Sequence, residues 1–215
     1  HCILVYDLRG FRFFSFSSRY RTMVIVADDI ASASNEEKLK RRGIAGMIFV
    51  FKVAGSIAES ESSLEETFNI ASLTNENIRT LGVAVSPCIL PESGKPTFEI
   101  NDDEIEIGMG IHGEPGIKRE KLRKANPLVD DLCKRILDDF KLNDKDQVCI
   151  MINSLGATPL EELYIISKRV HENFSKLKIE ITKTYVGRYA TSMEMAGMSI
   201  TILKLNDNLK KYLFA

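Results

Sequence analysis

Charge of one sign is missing from this 215-residue sequence, in which 29 Lys and Arg face 30 Asp and Glu for a net of -1. Nucleic-acid binding through phosphate contacts usually needs a concentrated basic surface, and this balance gives no case for one. No uninterrupted apolar run is long enough to cross a bilayer, which removes a membrane-spanning helix. Cysteine is scarce: Cys2, Cys88, Cys133 and Cys149 stand far apart, with no CxxC pair and no Cys/His cluster. That spacing argues against structural zinc or any other metal site, and for reduced thiols in a cytoplasmic protein. Histidine is scarcer, at three residues. His1 is terminal, and His171 falls on the flank of a helical segment where a partly solvated imidazole is ordinary. His112 is different, because glycines surround it.

The hydrophobic and charged fractions, 44% and 27%, are those of an ordinary globular chain of one large or two small domains. Residues 1–21 stand apart. They begin without Met and crowd Phe11, Phe13, Phe14 and Phe16 among Arg9, Arg12 and Arg19. A signal peptide would put its charges first, its apolar core next and small residues last. This segment instead reads as an edge strand or the remnant of a longer chain, leaving residues 22–215 as the main region, with a sub-boundary near 88–96.

Within that region, Thr22 to Asp28 is a short apolar run closed by acidic residues, as in a buried strand. Gly46 to Ala58 fits either a strand or a helix. Ser62 and Glu65 have capping-box spacing, which predicts a helix from Leu64 to Leu81 ended by Gly82. Thr97 to Ile100 and Glu104 to Ile107 alternate around Asn101-Asp102-Asp103, a hairpin pattern. A helix is expected from Leu128 to Phe140 and a buried strand from Val148 to Ile152. Thr158-Pro159-Leu160-Glu161 reads as N-cap, proline at the first helical position and capping glutamate. The helix it starts puts Leu160, Leu163, Ile166, Val170, Phe174 and Leu177 on one face. Strands at Ile179 to Val186 and Ser199 to Leu203 and a helix at Asn208 to Phe214 complete an α/β pattern: a mixed sheet layered with helices, built from these strands.

The chemistry concentrates in Gly108-Met-Gly-Ile-His-Gly-Glu-Pro-Gly116. Glycine lets a backbone approach a ligand closely, so Gly110 and Gly113 leave His112 open to a small molecule. Imidazole can act there as acid, base or nucleophile near neutral pH. The first three glycines also spell GxGxxG, with Asp130 or Asp131 further on. Yet the dinucleotide motif packs its third glycine inside a helix, whereas Pro115 and then IKREKLRK follow here. A plain glycine-rich turn is the bland alternative, and no serine-histidine-acid spacing supports a hydrolase triad. Elsewhere, Asn153-Ser154-Leu155-Gly156 reads as a strand-to-helix connection and Thr191-Ser192 with Glu194 as a local cap. Lys95 fails the phosphate-loop pattern because Pro96 follows it. Lys118 to Lys124 reads as a solvated charged face.

The run EIGMGIHGEPG (Glu106 to Gly116) resembles the substrate-histidine loop of the dihydroxyacetone kinase family. The resemblance continues through RRGIAG (Arg41 to Gly46), NIRTLGVAVSPCILPESGKPTFEI (Asn77 to Ile100), MINSLGATPLEELYI (Met151 to Ile165) and YVGRYATSMEMAGMSITILKL (Tyr185 to Leu205). It is collinear from about residue 22 onward and is similar to the C-terminal part of the substrate-binding, DhaK-type subunit. It implies a two-lobed architecture lacking most of the N-terminal lobe. It also implies that His112 adds through a ring nitrogen to the ketone carbon of dihydroxyacetone as a covalent hemiaminal. Covalent capture selects a ketone over glycerol, which hydroxyl contacts would separate poorly.

Members of that family carry, ahead of the matching region, a glycine-serine-histidine loop and a catalytic aspartate, and neither is found in residues 1–21. Their nucleotide site, with magnesium-binding aspartates, lies on a separate helical barrel, fused or as a partner subunit. The resemblance therefore implies that ATP or ADP with magnesium sits on a partner and that this chain binds no cofactor of its own. It also implies a homodimer, as does the apolar surface a shortened domain would expose. Two readings follow: the substrate-binding part of a kinase, or a noncatalytic dihydroxyacetone-binding regulatory paralogue or inactive fragment.

Overall fold

The structure, a computed structural model, describes residues 2–6, 21–111 and 113–215. Strands β1 (Cys2–Tyr6) and β2 (Arg21–Ile25) pair in parallel as a small two-stranded sheet. The main sheet holds β3 (Ile78–Ser86), β4 (Glu104–Ile107), β5 (Lys118–Lys121), β6 (Gln147–Ser154), β7 (Glu180–Gly187) and β8 (Ala196–Leu205). Its order is β5-β4-β3-β8-β6-β7, antiparallel throughout except for the parallel β6–β7 pair. The helices are α1 (Met47–Glu59), α2 (Leu64–Glu76), α3 (Ala125–Asp139), α4 (Leu160–Lys176) and α5 (Asp207–Leu213).

Side chains alternate across a strand, and β6 shows what that builds. Val148, Ile150 and Ile152 join one core with Leu132 and Ile136 of α3 and Leu163, Val170 and Phe174 of α4. Cys149 and Met151 join a second core with Phe49 and Val53 of α1, Ala71 of α2 and Leu209 and Leu213 of α5. Helices thus cover both faces of a mixed sheet, the layered α/β arrangement that the alternating pattern predicts.

Several local expectations are corrected. The strand at Thr22 to Asp28 pairs with β1 and lies outside the main sheet, although Asp29 bridges to Thr80 of β3. Gly46 to Ala58 resolves as helix α1. The capping box is Ser63 with Glu66, one residue later than predicted. Helix α2 stops at Glu76, because Ile78, Arg79, Thr80 and Leu81 pair with Leu203, Ile202, Thr201 and Ile200 of β8. Ladder bonds and burial there override local helix preference. The partner of Glu104–Ile107 is not residues 97–100 but β5, the segment read as a solvated face, so the glycine loop is itself the hairpin connection. Pro159, not Thr158, stands at the N-cap of α4; Thr158 turns inward, and Leu160 and Leu177 are exposed at the helix ends.

Candidate functional site

The glycine loop leaves β4 at Ile107 and enters β5 at Lys118. Gly108 and Gly113 hold φ of +78° and +79°, a region that side chains rarely adopt. The Gly108 N–H donates to the Gly82 carbonyl of β3 at 2.8 Å, the Gly110 N–H to the Glu114 carbonyl at 3.0 Å, and the Gly113 N–H to the Gly110 carbonyl at 3.1 Å. The Gly116 N–H donates to the Glu106 carboxylate at 2.7 Å. A Cβ on Gly110 would sit 2.1 Å from Oε2 of Glu114 and 2.8 Å from Nη1 of Arg42, and one on Gly113 would meet Thr97 at 3.0 Å. Both glycines are therefore needed for close packing, a role beyond the access that the sequence suggested. His112, the residue that carries the candidate chemistry, lies outside the described residues.

Below the loop, Met109 packs with Ala84, Cys88, Leu155 and Met195, and Phe98 and Ile111 close the cluster. This floor brings together the segment read as a strand-to-helix connection and the one read as a local cap. Asn153 is wholly buried; its Oδ1 accepts from the Tyr189 and Ala190 N–H groups at 2.8 and 2.9 Å, and its Nδ2 donates to the Ala190 carbonyl. Thr158 Oγ1 donates to the Gly197 carbonyl and accepts from the Gly197 N–H, each at 2.8 Å. Glu194 accepts from the distant Ile89 N–H, and Ser192 lies 3.6 Å from the Cys88 thiol, so this pair ties loops together where a local cap was expected.

Behind the loop lies a buried charge cluster that sequence reading missed. Asp28 accepts from the Ile44 and Gly46 N–H groups, both at 2.7 Å, and its burial pushes its pKa up. Asp29 is raised from 3.8 to about 6, because burial outweighs the attraction of Arg42 beside it. Arg42 donates from Nε to Asp29 Oδ2 at 2.8 Å and from Nη2 to the Gly108 carbonyl at 3.0 Å. A cavity of about 270 Å³ opens beside it, lined by Ser32, Lys40, Arg42, Glu114 and Pro115 among others. The available signal was two consecutive aspartates after an apolar run and an Arg-Arg pair at 41–42, since buried charges need partners. Among the described residues no group of three or more His, Cys, Asp or Glu is placed to hold a metal ion. Nor is any helix among them long and apolar enough to cross a membrane.

A family model described as the Dak1 domain matches residues 16–215. A Listeria innocua protein named PTS-dependent dihydroxyacetone kinase 1, dihydroxyacetone-binding subunit DhaK, is 47% identical over 184 residues, covering 86% of this chain and 56% of its own length. The chain therefore spans little more than half of that relative. The solved dihydroxyacetone kinase from C. freundii in complex with AMP-PNP and Mg2+ superposes with a TM-score of 0.80 at 30% identity, over 91% of this chain and 35% of its own. A solved dihydroxyacetone kinase operon co-activator, Dha-DhaQ, superposes with a TM-score of 0.81 at 29% identity, over 89% and 59%.

Proposed function

This chain belongs to the Dak1 domain family, and from that premise we propose that it is the dihydroxyacetone-holding part of a dihydroxyacetone kinase, with His112 as the capturing residue. The observation that carries the reading is the glycine loop, pinned at both ends between β4 and β5, in whose sequence His112 stands between Ile111 and Gly113. Gly110 and Gly113 contribute no side chain to the substrate's approach.

The chemistry balances without a cofactor. A neutral ring nitrogen of His112 attacks the ketone carbon, the C=O π pair moves to oxygen, and that oxygen takes up the proton the ring releases. All substrate atoms stay in the hemiaminal, and a terminal hydroxyl is presented for phosphorylation with much of its positioning already done. On this reading magnesium and ATP or ADP would sit on a nucleotide-bearing partner domain or subunit; the solved dihydroxyacetone kinase in complex with AMP-PNP and Mg2+ extends well beyond the 35% of its length that this chain covers. The same reading gives a cytoplasmic homodimer, and light scattering that returned only monomer would remove the dimer from it.

Dihydroxyacetone labelled with 13C at its ketone carbon tests the proposal. Bound to wild-type protein, the carbon signal should leave the carbonyl region for that of a tetrahedral carbon bearing nitrogen and oxygen. A bound ketone whose signal stays in the carbonyl region would overturn covalent capture. Capture without phosphotransfer when a family nucleotide subunit is added would move the chain to the regulatory reading.

A further inference from the structure

The Arg42 guanidinium is buried, and it bridges two segments far apart in sequence. On one side Nε and Nη2 both contact Oδ2 of Asp29, at 2.8 and 2.5 Å. On the other, Nη2 donates to the Gly108 carbonyl at 3.0 Å, and Nη1 lies 2.8 Å from where a Cβ on Gly110 would stand. The Asp29 end is itself immobilised. Its N–H donates to the Arg42 carbonyl, the Ile30 N–H donates to Thr80 of β3, and Ser32 Oγ both donates to the Asp29 carbonyl and accepts from the Arg42 N–H. The anchor thus reaches the main sheet, while the far end of the same side chain reaches the loop that carries His112.

We propose that Asp29 and Arg42 form a positioning clamp that holds the glycine loop, and through it His112, in the geometry for capturing a ketone. This rests on the function proposed above and adds two residues to it, which act through the loop backbone. A buried ion pair contributes little net stability, because desolvation offsets the Coulomb attraction. What a planar, multiply bonded guanidinium does supply is a fixed direction. A lysine ammonium can reach one of the two acceptors but cannot span Asp29 and Gly108 in one rigid plane.

Two readouts on the same set of variants test the clamp: amide exchange at Gly110 and Gly113 by NMR, and the dissociation constant of the dihydroxyacetone adduct. In Arg42→Met those two amides should exchange about tenfold faster or more while amides of β6 and α4 keep their rates, and the adduct should weaken about tenfold. Arg42→Lys should fall between Arg42→Met and wild type, and Asp29→Asn should loosen the same loop. If Arg42→Met does not fold, the latter two variants carry the test. Unchanged exchange at the loop in a folded variant overturns the clamp. So does a rise shared equally by β6 and α4, which marks a general loss of stability. If the loop loosens as expected but wild-type protein forms no adduct, the ketone reading fails and the clamp on the loop stands.

Discussion

Arg41, the neighbour of the clamp residue, turns the opposite way, and its removal has a calculable cost. Its side chain is 0% exposed and pairs through both terminal nitrogens with Asp139 at the end of α3, a residue 14% exposed. Nε also donates to the Ala33 carbonyl at 3.0 Å. Arg79 of β3 shares Asp139 at 2.6 Å and lies 4.7 Å from the centre of the Phe140 ring. The cluster therefore ties the segment before α1 to α3 and to the sheet. Breaking a buried pair by removing one partner costs ~3–5 kcal/mol, chiefly by stranding the remaining charge. Arg41→Met leaves Asp139 with Arg79 still in place, so its cost should sit at the lower end, ~3 kcal/mol. Asp139→Ala strands the wholly buried Arg41 and should approach ~5 kcal/mol. The double variant Arg41→Met/Asp139→Ala removes both charges of the pair, leaves only Arg79 without its carboxylate, and should fall ~2–3 kcal/mol short of the sum of the single changes. Burial alone would raise the Asp139 pKa, but its bonds to Arg41 and Arg79 outweigh burial and hold it below the usual carboxylate value. Its contribution is therefore present above pH 3.8 and lost as pH falls through the native value. With no tryptophan in the chain, urea unfolding followed by circular dichroism is the suitable assay. A cost below ~1 kcal/mol for Arg41→Met, or full additivity in the double variant, would refute the reasoning.

Gly113→Ala should destabilise the loop by ~1–2 kcal/mol for the positive φ alone, with a further cost from Thr97, whereas Gly55→Ala in α1 should stabilise by ~0.5–1 kcal/mol. Nothing lies within 4 Å of a Cβ at Gly55, so equal effects from the two changes in urea melts would contradict the packing described. Asp29 keeps its proton to about 6 in the native state but releases it at 3.8 when unfolded. Between those values the native state binds more protons, so this group makes stability fall as pH rises, by up to ~3 kcal/mol in all. Asp29→Asn should remove that slope, and a stability difference between variant and wild type that stays constant from pH 4 to 7 would count against it.

Long elements with one strong period were legible in the sequence. The face Leu163, Ile166, Val170 and Phe174 marks α4, and the unbroken apolar run at Val148 to Ile152 marks β6. Boundaries failed where tertiary contacts decide. Ser62 and Ser63 precede Glu65 and Glu66, so two capping boxes compete, and only Ser63 with Glu66 forms. Residues 78–81 look helical in isolation and are claimed by β8, more than a hundred positions later. Strand β5 was invisible because an exposed edge strand of sequence KREK needs no apolar alternation. Within the site, the glycines and His112 announced themselves by residue type. The supporting contacts did not, since Arg42, held by Asp29, reaches Gly108 across 66 residues of sequence. Asn153 and Glu194 resemble ordinary loop residues until their distant partners are placed.

The most direct test of the account is the mass of the intact protein after incubation with dihydroxyacetone and gentle desalting, with wild type and His112→Ala side by side. The account predicts a gain of one whole dihydroxyacetone on wild type and none on the variant. An equal gain on both, or no gain on folded wild-type protein, would contradict it.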